Sequence, residues 1–212
     1  MGGNASVTRI LCYGDSNTYG SRPDIHRRYP ADKVWTGILQ VKLGDQYRIL
    51  EDGLGGRTTD ISDAGSFERN GEAYLQAYLE THEPADIALI MLGTNDLKTA
   101  FHRDAHDVAT SIQKLIRLVR AKSSATKIII VSPIYINPIA AKITFGSWGK
   151  AAVAESRQLA PALQTVADEM ECYFVDASRV AHAGIDGVHL DVASHAALAE
   201  LLITQIHAIG KN

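Results

Sequence analysis

Two apolar runs near the middle of the chain constrain its fold more than any other feature. Residues 87–92 read Ile-Ala-Leu-Ile-Met-Leu and residues 128–131 read Ile-Ile-Ile-Val, without polar residues at alternate positions. A strand with one wet face alternates apolar and polar residues, whereas a strand covered on both faces is apolar throughout. Both runs therefore predict central strands of a parallel sheet that lies between two layers of helices.

The rest of the chain supplies the elements that such a sheet needs. Short apolar runs predict strands at 8–13, 47–51, 86–92, 127–132 and 172–175. Helical patterns predict helices at 33–43, 71–81, 104–121, 149–170 and 193–208, and the third has an apolar face formed by Val108, Ile112, Leu115, Ile116 and Val119. This order predicts a single-domain, three-layer, doubly wound α/β fold with a five-stranded parallel, flavodoxin-like sheet. We expect the domain at 8–212 and a flexible tail at 1–7.

Charge and composition exclude several kinds of partner. The net charge of −3 and the shortness of the Arg27-Arg28 cluster predict no nucleic-acid binding. No apolar run approaches the roughly 20 residues of a membrane span, and the N-terminus lacks the regions of a signal peptide. We therefore expect a cytoplasmic protein that does not bind membranes. Cys12 and Cys172 lie in or beside strand-like runs and are expected to be buried free thiols.

Five residues that can carry acyl-transfer chemistry follow predicted strands. Ser16 follows the first strand, Gly56 the second, Asn95 the third, and Asp186 and His189 follow the fifth. Because the carboxyl ends of parallel strands meet at one sheet edge, these residues are expected to converge. Ser16 could then act as nucleophile, His189 as its base and Asp186 as the group that orients the base. The backbone N–H groups of Ser16 and Gly56 and the side chain of Asn95 could form an oxyanion hole.

Other polar residues have simpler expected roles, and one segment stays open. We expect Asp15 to be a structural hydrogen-bonding residue, and Arg57 to be either a structural residue or part of a pocket wall. Loop 137–150 contains Ile143, Phe145 and Trp148, and it could be a pocket wall, an oligomer contact or both. The remaining histidines suggest no metal site, and we expect surface positions for His102, His106, His182 and His195.

Four short blocks in the chain resemble those of the SGNH (GDSL-type) hydrolase family. The blocks are Gly14-Asp15-Ser16-Asn17, Gly56, Gly93-Thr94-Asn95-Asp96 and the Asp186/His189 pair. The resemblance implies the roles given above for the nucleophile, the base, its orienting carboxylate and the oxyanion-hole residues. Asn17 stands at the position of the leucine in the motif GDSL. Four longer motifs, at residues 11–16, 34–37, 53–59 and 90–96, resemble those of a bacterial subgroup of arylesterases, acyltransferases and carbohydrate acetylesterases that act on short acyl esters. The resemblance to that subgroup implies a large homo-oligomer, often an octamer, with no metal or cofactor.

Three other functions remain open on the sequence alone. A lysophospholipase or thioesterase of the same family would use the same residues with a longer acyl group. A catalytically silent binding module would keep the fold without turnover, and a nucleotide-binding protein would share the flavodoxin-like topology. The retention of Ser16, Gly56, Asn95, Asp186 and His189 favours an enzyme with a small-molecule ester as its substrate.

Overall fold

The computed structural model describes residues 7–25, 27–62 and 69–210. Most of the expected N-terminal tail, residues 1–6, lies outside the described residues. The strands are β1 (Thr8–Gly14), β2 (Tyr47–Gly53), β3 (Ile87–Met91), β4 (Lys127–Ser132) and β5 (Tyr173–Asp176). The α-helices are α1 (Ser16–Tyr19), α2 (Trp35–Leu43), α3 (Gly71–Thr81), α4 (Ala105–Lys122), α5 (Ala140–Ile143), α6 (Lys150–Ser156), α7 (Leu159–Glu169) and α8 (Val192–Ile209). Short 3₁₀ helices lie at Ala31–Lys33, Thr99–Phe101 and Ala177–Arg179.

The five strands form one parallel sheet in the order β2-β1-β3-β4-β5. This order confirms the predicted doubly wound, flavodoxin-like fold. The chain moves outward to β2 on one side of β1 and to β3, β4 and β5 on the other side. The order of the strands therefore reverses between β1 and β3, and in such sheets ligands bind beyond the carboxyl ends of the strands at this point.

Each face of the sheet carries its own hydrophobic core. Ile10 and Cys12 of β1 point into the core shared with α2 and α8, whereas Leu11 and Tyr13 point into the core shared with α3, α4 and α7. The same alternation holds in β3 and β4, so the uniformly apolar runs are explained by burial on both faces. Cys12 is buried and Cys172 is half-buried, and both are free thiols.

The predicted elements agree with the structure to within one or two residues at most of their ends, with one exception. The predicted helix at 149–170 is wrong, because the structure divides it into α6 and α7. Pro161 lies in the first turn of α7. A proline has no N–H to donate, and its ring clashes with the carbonyl group four residues earlier, which here belongs to Arg157. A continuous helix is therefore interrupted at residues 157–158.

The C-terminal helix α8 is an element of the core. By length and composition alone, α8 is apolar enough to cross a membrane, and no other helix among the described residues passes that test. Its side chains Leu198, Leu202 and Ile206 are nevertheless buried in the core that α8 shares with α2 and the sheet. Packing within the domain thus accounts for the buried face of α8, which is 39% of its residues.

Candidate active site

A tight turn at the end of β1 presents Ser16 at the edge of the sheet. Asp15 is the N-cap of α1, and its Oδ1 accepts the backbone N–H of Asn17 at 2.8 Å. Ser16 is the first residue of α1 and is 7% exposed. A side chain at Gly14 would lie 2.0 Å from Oγ1 of Thr18, so only glycine fits where the strand turns into the helix. Gly14 and the capping Asp15 thus form the short turn that places Ser16 just beyond the end of β1.

Ser16, His189 and Asp186 form a continuous chain of hydrogen bonds. Nε2 of His189 lies 3.0 Å from Oγ of Ser16, and Nδ1 of His189 lies 2.5 Å from Oδ2 of Asp186. Oδ1 of Asp186 accepts the backbone N–H groups of Val188 and His189, each at 2.9 Å. The structure thus brings together residues that are 173 positions apart in the chain.

The electrostatics of this chain of hydrogen bonds favour proton transfer from the serine. Burial by itself raises the pKa of Asp186, but hydrogen bonds from the His189 ring and from two backbone N–H groups outweigh burial and hold that pKa below its usual range. An ionised carboxylate accepts a hydrogen bond from the N–H group at Nδ1, which keeps the ring proton on that nitrogen and so fixes the tautomer. Nε2 is then the nitrogen that can accept the Ser16 proton.

Asn17 holds the backbone on both sides of the histidine, a role that sequence reasoning missed. Its side-chain Nδ2 donates to the carbonyl oxygen of Val188 at 3.2 Å, and its Oδ1 accepts the N–H of Leu190 at 2.9 Å. The backbone carbonyl of Asn17 also accepts the indole N–H of Trp35 at 3.1 Å. Asn17 is 3% exposed, so both amide bonds are shielded from water. The only signal in the sequence was an amide where the family name has leucine.

The expected oxyanion-hole residues also meet at this edge. The N–H of Leu54 donates to the carbonyl of Gly14 at 3.1 Å, which fixes the loop after β2 against the end of β1. Gly56 in that loop has a φ of +79°, a conformation that favours glycine, and its N–H has no acceptor within the described part of the chain. Nδ2 of Asn95 donates to the carbonyl of Arg57 at 3.1 Å, so the amide lies directly beside Gly56. The N–H of Ser16 lies at a helix N-terminus and has no acceptor within that helix.

Arg57 and Asp15 are buried charged residues next to the expected catalytic residues. Arg57 is 2% exposed and donates to the carbonyl oxygens of Gly14 and Asp52 at 2.9 and 2.6 Å, and to Oδ1 of Asp52 at 2.8 Å. Its guanidinium also lies 4.1 Å from the centre of the Tyr13 ring. These contacts match the structural alternative for Arg57. Burial raises the pKa of Asp15 to about 6, although the N–H of Asn17 opposes that rise.

The predicted surface position of His195 is wrong, because this side chain is fully buried. Its Nδ1 accepts the backbone N–H of Trp35 at 3.3 Å, and its ring contacts Tyr29 edge-on at 5.6 Å. Burial lowers the pKa of His195 to about 4, so the ring is neutral at physiological pH. The prediction failed because α8 packs this face against α2. The other three histidines are exposed as expected, namely His102, His106 and His182.

Loop 137–150 lies beside the site. One of its apolar side chains contacts the site, and two others are exposed. The indole N–H of Trp148 donates to the carbonyl of Thr94 at 2.8 Å, next to Asn95. Phe145 is 100% exposed, and Ile143 is 46% exposed. Within the described ranges, no three His, Cys, Asp or Glu side chains are grouped so as to hold a metal ion.

Comparisons with known proteins agree with this geometry. The model of the GDSL-like lipase/acylhydrolase family matches residues 12–197. Est24, a carbohydrate acetylesterase from Sinorhizobium meliloti, is 33% identical with a TM-score of 0.90, and the match covers 95% of this chain and 99% of that chain. The aryl esterase of M. smegmatis is 34% identical with a TM-score of 0.89 and the same coverage of both chains. The uncharacterized lipoprotein YqeF of Bacillus subtilis is 33% identical over 87 residues, and the chain spans only 31% of the length of that curated relative.

Proposed function

Because this chain belongs to the GDSL-like lipase/acylhydrolase family and is a carboxylic ester hydrolase, we propose that it is a serine esterase for short acyl groups. The alcohols in its substrates are aryl, alkyl or carbohydrate alcohols. The hydrogen-bond chain from Asp186 through His189 to Ser16 is the observation that carries this proposal. The names of the two similar structures, an acetylesterase and an aryl esterase, support the choice of short esters.

The geometry supports a two-step reaction through an acyl-enzyme. Nε2 of His189 removes the proton of Ser16 while Oγ attacks the ester carbonyl, and the resulting oxyanion is stabilised by donors from Ser16, Gly56 and Asn95. The protonated His189 then gives its proton to the leaving alcohol, and the acyl group stays on Ser16. A water molecule repeats the attack on the acyl-enzyme, with His189 again as the base, and releases the acid.

The same acyl-enzyme would support transfer to an alcohol. An alcohol and a water molecule approach the same carbonyl carbon and lose their proton to the same base, His189. Turnover of p-nitrophenyl acetate in water–methanol mixtures should therefore yield methyl acetate together with acetic acid. Acetic acid as the sole product, at any methanol fraction that leaves the enzyme folded, would exclude acyl transfer.

Substitution of the nucleophile tests the proposal directly. Ser16→Ala should lower kcat for p-nitrophenyl acetate by about 10⁶-fold, towards the background rate. Its circular dichroism and melting temperature should match those of the parent protein. Ser124→Ala, at an exposed position in the turn between α4 and β4, is the matched control and should keep the parent rate. Near-parent activity of Ser16→Ala would refute the assignment.

A series of p-nitrophenyl esters from acetate to decanoate tests the acyl length. We expect kcat/KM to fall beyond the shortest esters. A rise towards decanoate would instead indicate the lysophospholipase or thioesterase alternative. No turnover of any ester, together with no labelling of Ser16 by a fluorophosphonate probe, would indicate a catalytically silent binding module.

The expected homo-oligomer is a further part of this proposal. Phe145 is fully exposed and lies close to the half-exposed Ile143. Exposed aromatic and aliphatic side chains of this kind commonly anchor protein interfaces. Light scattering of the parent protein should give a mass of several subunits, and Phe145→Ser should reduce it. A parent protein that is monomeric at micromolar concentration would contradict this part. The cytoplasmic location stays a prediction.

A further inference from the structure

A cavity of about 530 Å³ opens beside the catalytic histidine and is rich in arginine. His189 forms part of its wall, together with Tyr19, Arg22, Arg27, Arg28 and Arg69. None of the described residues that line it is acidic. The volume lies within the range of small-molecule sites in proteins. Four arginines among the described lining residues are unexpected beside the reacting groups of a chain whose net charge is −3.

Two of the four arginines are neutralised and held in place. Arg22 binds Asp24 through two hydrogen bonds of 2.9 and 2.6 Å. Arg28 binds both oxygens of Glu51 at 2.5 and 2.7 Å, and its guanidinium lies 4.9 Å from the centre of the Tyr19 ring. These contacts orient the two side chains and leave little net charge on either arginine.

The other two arginines give the described part of the cavity wall a net positive charge. Within the described residues, no carboxylate forms an ion pair with Arg27 or Arg69. Nη1 of Arg69 donates to the carbonyl of Gly55 at 2.7 Å, and a Cβ atom built on Gly56 would lie 4.0 Å from Nε of Arg69. One free guanidinium is thus fixed beside the expected oxyanion hole. The backbone of Arg27 is held in the same wall, because its carbonyl oxygen accepts the N–H of Arg22 at 2.9 Å.

The position of His189 decides which part of a substrate the cavity would hold. The leaving alcohol oxygen has to lie within hydrogen-bond reach of Nε2 of His189 when it takes the proton. The alcohol portion of an ester therefore extends towards the cavity that His189 lines. Guanidinium groups bind carboxylates and phosphates through charge-assisted hydrogen bonds, often with two parallel bonds.

We propose that the preferred substrate is an ester whose alcohol portion carries an anionic group, which Arg27 and Arg69 bind. The proposal rests on the esterase function proposed above and names the substrate class of that same site. The anion is a carboxylate, as in an acylated sugar acid, or a phosphate, as in an acylated sugar phosphate. Both bind the same two guanidinium groups.

A set of matched aryl acetates tests the proposal with the intact protein. The probes are para-carboxyphenyl acetate, para-phosphonophenyl acetate and the neutral para-carbamoylphenyl acetate. For each ester, kcat/KM is divided by the rate constant of hydroxide hydrolysis, which corrects for the reactivity of the leaving group. We expect the corrected value to be about tenfold or more higher for an anionic ester than for the neutral one. About 0.5 M NaCl should reduce that ratio several-fold. The larger of the two anionic values indicates which kind of anion the site favours.

Arginine variants identify the groups responsible. Arg27→Gln and Arg69→Gln should each lower the anionic-to-neutral ratio about threefold, and the double variant should bring the ratio close to one. Arg48→Gln, at an exposed position on β2 outside the cavity, is the matched control and should keep the parent ratio. If Arg69→Gln fails to fold because the contact with Gly55 is lost, Arg27→Gln still decides the matter.

The outcomes separate this inference from the proposed function. Equal corrected rates for the anionic and neutral esters, with turnover that depends on Ser16, would refute the anionic substrate and leave the esterase in place. An unchanged ratio in Arg27→Gln would also refute it. An absence of Ser16-dependent turnover with every ester would refute the esterase function itself.

Discussion

Replacement of Asn17 by leucine is the most informative perturbation of this site. The side-chain amide of Asn17 donates to Val188 and accepts from Leu190, which are the two neighbours of His189. Leucine has the same branched arrangement of heavy atoms as asparagine, is bulkier, and can make neither hydrogen bond. Asn17→Leu therefore removes the hydrogen bonds between the turn that carries Ser16 and the loop that carries His189. The side chains of Ser16, His189 and Asp186 are all kept.

The expected loss of stability follows from the two partners that the variant leaves behind. The carbonyl of Val188 and the N–H of Leu190 both lie in the buried interior next to Asn17, which is 3% exposed. A buried polar group without a partner costs about 1–3 kcal/mol, so the variant should lose about 2–6 kcal/mol of unfolding free energy. For a domain of this size that loss corresponds to a fall in melting temperature of roughly 10 °C.

The expected loss of activity follows from the position of the histidine ring. Nε2 of His189 lies 3.0 Å from Oγ of Ser16, and the backbone on both sides of that ring would no longer be held. A displacement of about 1 Å in a catalytic group can cost about 10²-fold in rate. We therefore expect kcat for p-nitrophenyl acetate to fall 10- to 100-fold, in the range given by that displacement. KM should change less than threefold, because the Asn17 side chain is buried and its amide is occupied by Val188 and Leu190.

Steady-state kinetics and urea unfolding measure the two effects separately. Kinetics should be recorded at a temperature where circular dichroism shows the variant to be folded. Gln76→Leu is the matched control, because its amide is exposed and makes one hydrogen bond, to Glu80. That control should change stability by less than about 0.5 kcal/mol and leave kcat unchanged. A folded Asn17→Leu protein with a parent kcat would show that Asn17 does not position the histidine.

Three further predictions concern other parts of the site. Asp186→Asn should lower kcat by about 10⁴-fold, because the new amide donates to Nδ1 of His189 and moves the ring proton to Nε2; parent activity would contradict the orienting role. His195→Asn should remove an acid sensitivity of the fold. The pKa of His195 is about 4 in the folded protein against 6.5 in the unfolded chain, so the unfolded chain binds the proton first and stability falls as pH falls from 6.5 towards 4. By pH 4.5 the parent should have lost about 2–3 kcal/mol more than the variant in urea unfolding, and equal losses would refute the buried neutral ring. Asp15 titrates in both proteins, so its contribution cancels in this comparison. Arg57→Lys should cost about 3 kcal/mol in the same assay, because lysine cannot bind two carbonyl groups and Asp52 together while it stacks on an aromatic ring. A loss below about 1 kcal/mol would contradict that structural role.

Much of the fold could be predicted from local patterns. The apolar runs at 87–92 and 128–131 required burial on both faces, and the sheet buries both. The helical face of Val108, Ile112 and Leu115 is buried as its spacing predicted. The error at 149–170 arose because the helical pattern continues through Pro161. The proline itself is visible in the sequence and could have indicated the break.

The convergence of the expected catalytic residues could be predicted for the same reason, but the contacts that hold them in position could not. Parallel strands end at one edge, so Ser16, Asn95 and His189 had to lie near one another once the strands were assigned. The neighbours of Asn17 are 171 and 173 positions away, and no local pattern indicates such contacts. His195 illustrates the same limit, because a helix pattern does not say which face packs against α2.

The sequence by itself determined the layered α/β fold and the strand ends, and it predicted which residues would carry acyl-transfer chemistry. These features follow from hydrophobic periodicity and from short motifs, which act over a few neighbouring residues. Only the tertiary structure decided that Asn17 holds the histidine loop, that His195 is buried and neutral, and that Arg27 and Arg69 meet at one cavity. Each of these three findings depends on contacts between side chains that are distant in the sequence. Distance, burial and local dielectric are properties of the packed molecule.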